Sequence, residues 1–187
     1  MANIKTKRLF AALLLPADTK QKINTALGAA KAGDTGLGWV KESMLHITLE
    51  FFGDTDAARE KVIRDILQKF AKQHSRAEFA TAGISAFPNE SAPRVLVLLL
   101  QPASQGLHRW QHKIRTELIQ NGVSLSRQPW RPHIAIGRTR AGRKVDLHKL
   151  KQLIPLELTS RISRYALIES RLRAGGAEHK ILKTYEL

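Results

Sequence analysis

The chain has 187 residues, 43% of them hydrophobic, enough for one domain or two small lobes around a real core. It has no cysteine, which excludes disulfides and thiolate metal sites, and no apolar run near the roughly 20 residues that cross a bilayer. Lys and Arg number 31 against 16 Asp and Glu, a formal charge of +15 that favours polyanionic partners without naming one.

Lys5, Lys7 and Arg8 precede an apolar run ending at Pro16. That run is short for a signal sequence and has no small-residue cleavage site after it, so residues 7–15 read as a first strand of a cytoplasmic protein. Asp18 is expected to cap a helix carrying Ile23 and Leu27 on one face. Strands follow over 36–41 and 45–52. Asp54 or Thr55 then opens a helix whose Val62, Ile63, Ile66, Leu67 and Phe70 recur at helical spacing. Residues 78–86 read as a strand broken by Phe87-Pro88-Asn89, and 94–100 as a buried strand. Leu107, Trp110, Ile114 and Leu118 form a helix stripe ended by Asn121-Gly122. Strands are expected to begin at 123–125 and to run over 132–138. Residues 138–153 read as a basic loop and short helix, and 156–158, 161–172 and 179–187 as further strands. The pattern is α+β with two similar halves.

Two tetrads carry the chemistry: His46-Ile47-Thr48-Leu49 and His133-Ile134-Ala135-Ile136. In a strand, residues two apart share a face. His46 and Thr48 therefore point together, as do His133 and Ala135, while the aliphatic partners point into a core. Two imidazoles on paired strands can supply one general acid and one general base, because each titrates near neutrality.

The contexts of these tetrads, Trp39 to Gly53 and Arg131-Pro132-His133-Ile134-Ala135-Ile136-Gly137-Arg138, resemble the two-histidine (2H) phosphoesterases. The resemblance is strongest to the RNA 2′,3′-cyclic phosphodiesterase branch, also called the 2′-5′ RNA ligase or LigT-like family. It extends to Ser170-Arg171-Leu172 and the glycines at 175 and 176, with His179 near a place where the family usually has tyrosine. It implies two pseudo-symmetric lobes of antiparallel sheet facing a central cleft, helices outside, in a single domain over 1–187. It implies hydrolysis of a terminal 2′,3′-cyclic phosphate to a 2′-phosphomonoester, with reverse 2′-5′ ligation as a secondary activity. His46 would protonate the leaving O3′ and His133 would activate water. Thr48 would bond a non-bridging oxygen, and Arg138 matches the arginine after the second motif, although its parity is opposite to that of His133. No metal or other cofactor is called for. The expected partner is RNA ending in a cyclic phosphate, with tRNA fragments as one source of such ends, acted on by a monomer.

Ala135 departs from the family's hydroxyl residue, and losing one bond to a charged group costs about 1.5–3 kcal/mol, roughly ten- to hundred-fold. It favours an alternative of another class, a basic RNA- or nucleotide-binding module with reduced catalysis. A further alternative within enzymes is cleavage of small cyclic or 2′-5′-linked nucleotides. Arg131 and Trp130 are candidate RNA contacts, Trp130 equally a core residue. Trp39 and Phe51 read as core. His108 and His112, four apart on a helix, lack an intervening Glu and read as surface residues, not a metal pair. His74, His148 and His179 carry no motif, and the paired glycines read as a turn.

Overall fold

Every position from Leu9 to Leu13 is buried, so the first strand has covered sheet on both sides. The structure, a computed structural model, describes residues 5–101, 104–154, 156–173 and 176–187. The chain runs through β1 (Lys7–Leu14), α1 (Ala17–Ala26), α2 (Gly28–Lys31), β2 (Leu37–Trp39), a 3-10 turn Glu42–Met44, β3 (His46–Thr55) and α3 (Ala57–Gln73). It continues through β4 (Ala77–Phe87), β5 (Val95–Leu100), α4 (Gln105–Gln120), β6 (His133–Thr139), α5 (Leu147–Leu153), β7 (Thr159–Ile162), β8 (Arg164–Arg173) and β9 (Gly176–Glu186). Of the glycine pair read as a turn, Gly175 lies outside the described residues.

Among the described residues, nine strands join in one antiparallel sheet of order β7-β4-β5-β6-β3-β1-β8-β9, with β2 on β6. The expected two lobes are its two halves, β9-β8-β1-β3 and β6-β5-β4-β7. They meet at one residue pair, Ile47 opposite Ile134. Laid flat, β7 and β8 would stand roughly 29 Å apart at strand spacing. Yet Ser163 alone links them, a reach of about 7 Å. The sheet must therefore bend so that its halves approach each other.

One face of the sheet packs on the helices. Leu9, Leu13, Ile47, Leu49, Ile134 and Ile136 join Ile63, Leu67 and Phe70 of α3 and Leu107, Ile114 and Leu118 of α4 in a single core. The opposite face carries a small second cluster of Phe10, Ala12, Ala166 and Ile168. On that face the histidines stand.

Several elements differ from expectation. Asp18 lies inside the first turn of α1 and makes no capping bond; Pro16 holds the cap position with its preset φ. Strand β3 runs on to Thr55, so α3 starts later and its cap is Asp56, whose carboxylate accepts from Arg59 N at 2.8 Å. Residues 123–125 form no strand, because carbonyls of this segment go to side chains: Arg59 donates to Ser124 O and Arg115 to Ser126 O. Residues 156–158 also stay outside the ladders. The expected strand 161–172 splits at Ser163, where β7 leaves β4 and β8 joins β1.

Candidate active site

Both histidine strands break their alternation at the same offset. On β3, Ala11 pairs with Glu50 and Ala12 with Thr48, so Leu49 is an extra residue. On β6, Leu96 pairs with Gly137 and Val97 with Ala135, so Ile136 is the extra one. Each bulge lies three residues after its histidine and reverses the parity of the strand beyond it. Leu49 and Glu50 both turn to the helix side, where Glu50 accepts from Arg115 at 2.8 Å and from Gln111 at 3.1 Å. Ile136 is buried in the helix-side core, and a Cβ on Gly137 would meet Trp39 and Leu37 at 3.5–3.6 Å. The fifth residue after each histidine, Phe51 and Arg138, therefore returns to the histidine face. This removes the parity conflict that the sequence poses for Arg138.

The histidines are held alike. His46 Nδ1 donates to Met44 O at 2.7 Å, and His133 Nδ1 donates to Arg131 O at 2.7 Å. Fixing the proton on Nδ1 leaves Nε2 of each neutral ring as an acceptor. At His46 that nitrogen lies 3.2 Å from Thr48 Oγ1, so the hydroxyl donates to it. Each ring is backed by a phenylalanine: Phe10 at 5.3 Å from His46 and Phe87, edge-on, at 4.7 Å from His133. Burial pushes His46 down to about 4, against the opposing pull of the Met44 carbonyl, with the charges of His179, His133 and Lys20 adding to it. His133 is also lowered, first by burial and then by Arg131 and Arg138. Both rings are thus neutral at pH 7 in the free protein.

A hollow of about 310 Å³ opens beside His133, lined also by Thr48, Phe51, Arg115, Trp130 and Arg131 among others. A larger one of about 420 Å³, between α2 and α5, touches neither histidine.

The LigT like Phosphoesterase family profile matches residues 13–97, which include the first histidine strand and stop before the second. Over that segment the chain is similar to the LigT-like phosphoesterases. One relative, from Thermotoga maritima, bears the name RNA 2′,3′-cyclic phosphodiesterase. It is 26% identical over 181 residues, covering 94% of this chain and 92% of the relative. Another of the same name, from Geobacillus stearothermophilus, is 28% identical over 135 residues, 72% of this chain but 43% of that longer protein. The crystal structure of E. coli LigT complexed with 3′-AMP superposes with a TM-score of 0.71 over 98% of this chain and 99% of that one, at 22% identity. At that identity the likeness speaks to the fold.

Within the LigT-like frame, His46, Thr48, His133 and Arg138 come to one face. Arg131 stands over the Phe87 ring at 4.4 Å and its carbonyl anchors His133. Trp130 is half-buried against the core, its indole donating to Thr48 O at 2.9 Å and its ring meeting His108 at 4.9 Å. It ties the loop before β6 to β3. His108 and His112 are exposed, and the described residues contain no group of three or more His, Cys, Asp or Glu that could hold a metal ion.

Several site features have no local signature in the sequence. Phe51, expected in the core, is 39% exposed, lines the hollow and carries the Arg8 guanidinium 5.0 Å above its ring. The matched spacing of His46 to Phe51 and His133 to Arg138 is the one signal that could have found it. Lys20 of α1 acts on His46, and His179 of β9 reaches His46 from across the fold, with its ring 5.4 Å away. No local pattern announces either.

Proposed function

We propose that this LigT-like site hydrolyses a 2′,3′-cyclic phosphate at the end of an RNA to a 2′-phosphomonoester. The observation that carries the reading is the pair of histidines with Nδ1 anchored alike, on strands that meet at Ile47 and Ile134, which leaves each Nε2 as the acceptor, that of His46 held by Thr48. His133 Nε2 takes a proton from water as its oxygen bonds to phosphorus. The P–O3′ bond breaks, and protonated His46 delivers its Nε2 proton to O3′. The products are a 2′-phosphate and a free 3′-hydroxyl, with His46 left neutral and His133 protonated. Thr48 and Arg138 donate to the non-bridging oxygens as charge builds there. The Phe51 ring offers a face on which a terminal base can stack. A 5′-hydroxyl in place of water would form a 2′-5′ linkage by the same proton transfers. The relatives' shared name and the cationic rim of Arg8, Lys20, Arg131 and Arg138 support an RNA substrate. So does the net charge of +15.

The test is incubation of the protein, in EDTA, with an oligoribonucleotide ending in a cyclic phosphate. The parent should yield a 2′-phosphate end, and His46→Ala and His133→Ala should each lose at least about 10²-fold in rate. Ala135, which removes a phosphate donor from the second motif, favours a second reading: an RNA- or nucleotide-binding module of this fold. Tight binding of the cyclic end without turnover, unchanged by His133→Ala, would select that reading.

A further inference from the structure

The hydroxyl missing at Ala135 leaves the two halves of the site unequal, and the third imidazole on the same face bears on that deficit. β9 brings the His179 ring edge-on to His46 at 5.4 Å and to Phe10 at 5.0 Å. His46 and His133 each have one ring nitrogen tied to a backbone carbonyl, whereas neither nitrogen of His179 has a hydrogen-bond partner among the described residues. Its tautomer is therefore free, and whichever nitrogen meets an acceptor can carry the proton. The Arg138 charge acts on both His133 and His179, so the arginine and the three imidazoles share one neighbourhood.

A phosphodiester offers two non-bridging oxygens, each able to accept more than one bond. Thr48 supplies a hydroxyl beside His46, and Ala135 supplies none beside His133. Granting that the cleft binds a phosphoryl group, as proposed for its hydrolase activity, we infer that His179 is a third phosphate-binding residue, donating a ring N–H to a non-bridging oxygen in place of the absent hydroxyl. The site then grips its anion with Thr48, Arg138 and His179. A purely packing role for His179 would need only its aromatic edge against Phe10 and His46.

These alternatives separate with inorganic phosphate as the probe, which reads the anion site whichever ester the protein cleaves. Phosphate titrated into the parent protein, followed by the ring ¹⁵N signals of its seven histidines, should move His179 with the same midpoint as His46. A His179 signal that stays put at saturation, or the absence of any histidine response, overturns the inference. His179→Phe keeps the aromatic packing and should weaken phosphate binding about ten-fold. Ala135→Thr should restore most of that loss in the His179→Phe background while changing the parent by less than about three-fold. Equal factors in both backgrounds, or unweakened binding by His179→Phe, would also overturn it. Turnover of the cyclic-phosphate oligonucleotide is scored separately. Phosphate binding through His179 without turnover would preserve this inference and remove the hydrolase reading alone.

Discussion

The imidazole of His46 is held near 4 because it sits half-buried against Phe10 and beside other cationic groups. Its unfolded value is near 6.5, so between pH 6.5 and 4 the unfolded chain takes up a proton that the folded chain refuses. Stability from this group is complete above pH 6.5 and declines as pH falls towards 4, by roughly 3 kcal/mol in all. His133 shifts in the same direction and adds to the slope. Urea unfolding from pH 7.5 to 4 should show the decline, and His46→Phe should flatten it; an unaltered slope would remove His46 as its source. The same shifts govern turnover. The proposed reaction needs His46 protonated and His133 neutral, a combination most populated on the acid side in the free protein. The optimum of kcat/KM should lie below pH 6.5. The optimum of kcat should lie higher, because a bound phosphate anion favours both protonated rings. Coincident optima at pH 7 or above would contradict the assignment.

At the scale of elements, the two bulges aim the site. Glu50, 7% exposed, anchors the bulge on β3 by bonding Arg115 and Gln111 of α4. Glu50→Gln leaves Arg115 without its counter-charge. Because that side chain is partly solvated, a loss of about 1–3 kcal/mol is expected, read by chemical denaturation. kcat/KM should fall as well, since Thr48 and Phe51 flank the clamp; full activity in a destabilised variant would show that the bulge holds without it. The bulge on β6 is covered by β2, whose entry needs Gly36 at φ +70°. A Cβ there would lie 2.7 Å from Lys144 O. Gly36→Ala should therefore cost about 1–3 kcal/mol and raise KM through a displaced Arg138. A thermal midpoint equal to the parent's would refute that account.

Over the whole molecule, the excess of cations has a rim to act on: Arg8 over Phe51, Arg131 over Phe87, and Lys20 and Arg138 beside the imidazoles. An RNA strand bound there should release counterions. For His133→Ala, which retains the cationic rim, log Kd for a single-stranded RNA should rise with log salt, with a slope of about 0.7 per phosphate neutralised. A slope near zero would confine recognition to the terminal phosphate and base. The bend at Ser163 and the single seam at Ile47 and Ile134 are what bring the two halves of this basic surface to one cleft.

Sequence alone determined whatever depends on near neighbours. The period-2 segments around His46 and His133, the apolar stripes of α3 and α4, and the Asn121-Gly122 stop are all properties of a few adjacent residues. The pairing of the two histidine strands was expected only from the family resemblance, because an aliphatic face and a histidine face on each strand do not say which strands are neighbours. Tertiary structure decided what depends on a distant partner. The bulges at Leu49 and Ile136 exist only against β1 and β5, so the reversal that brings Phe51 and Arg138 to the cleft has no local signature. His179 arrives by strand order, 133 residues from His46, and residues 123–125 lose their ladder to arginines from two helices. Periodicity is written in the local chain, whereas register, bulges and the approach of remote side chains are set by packing across it.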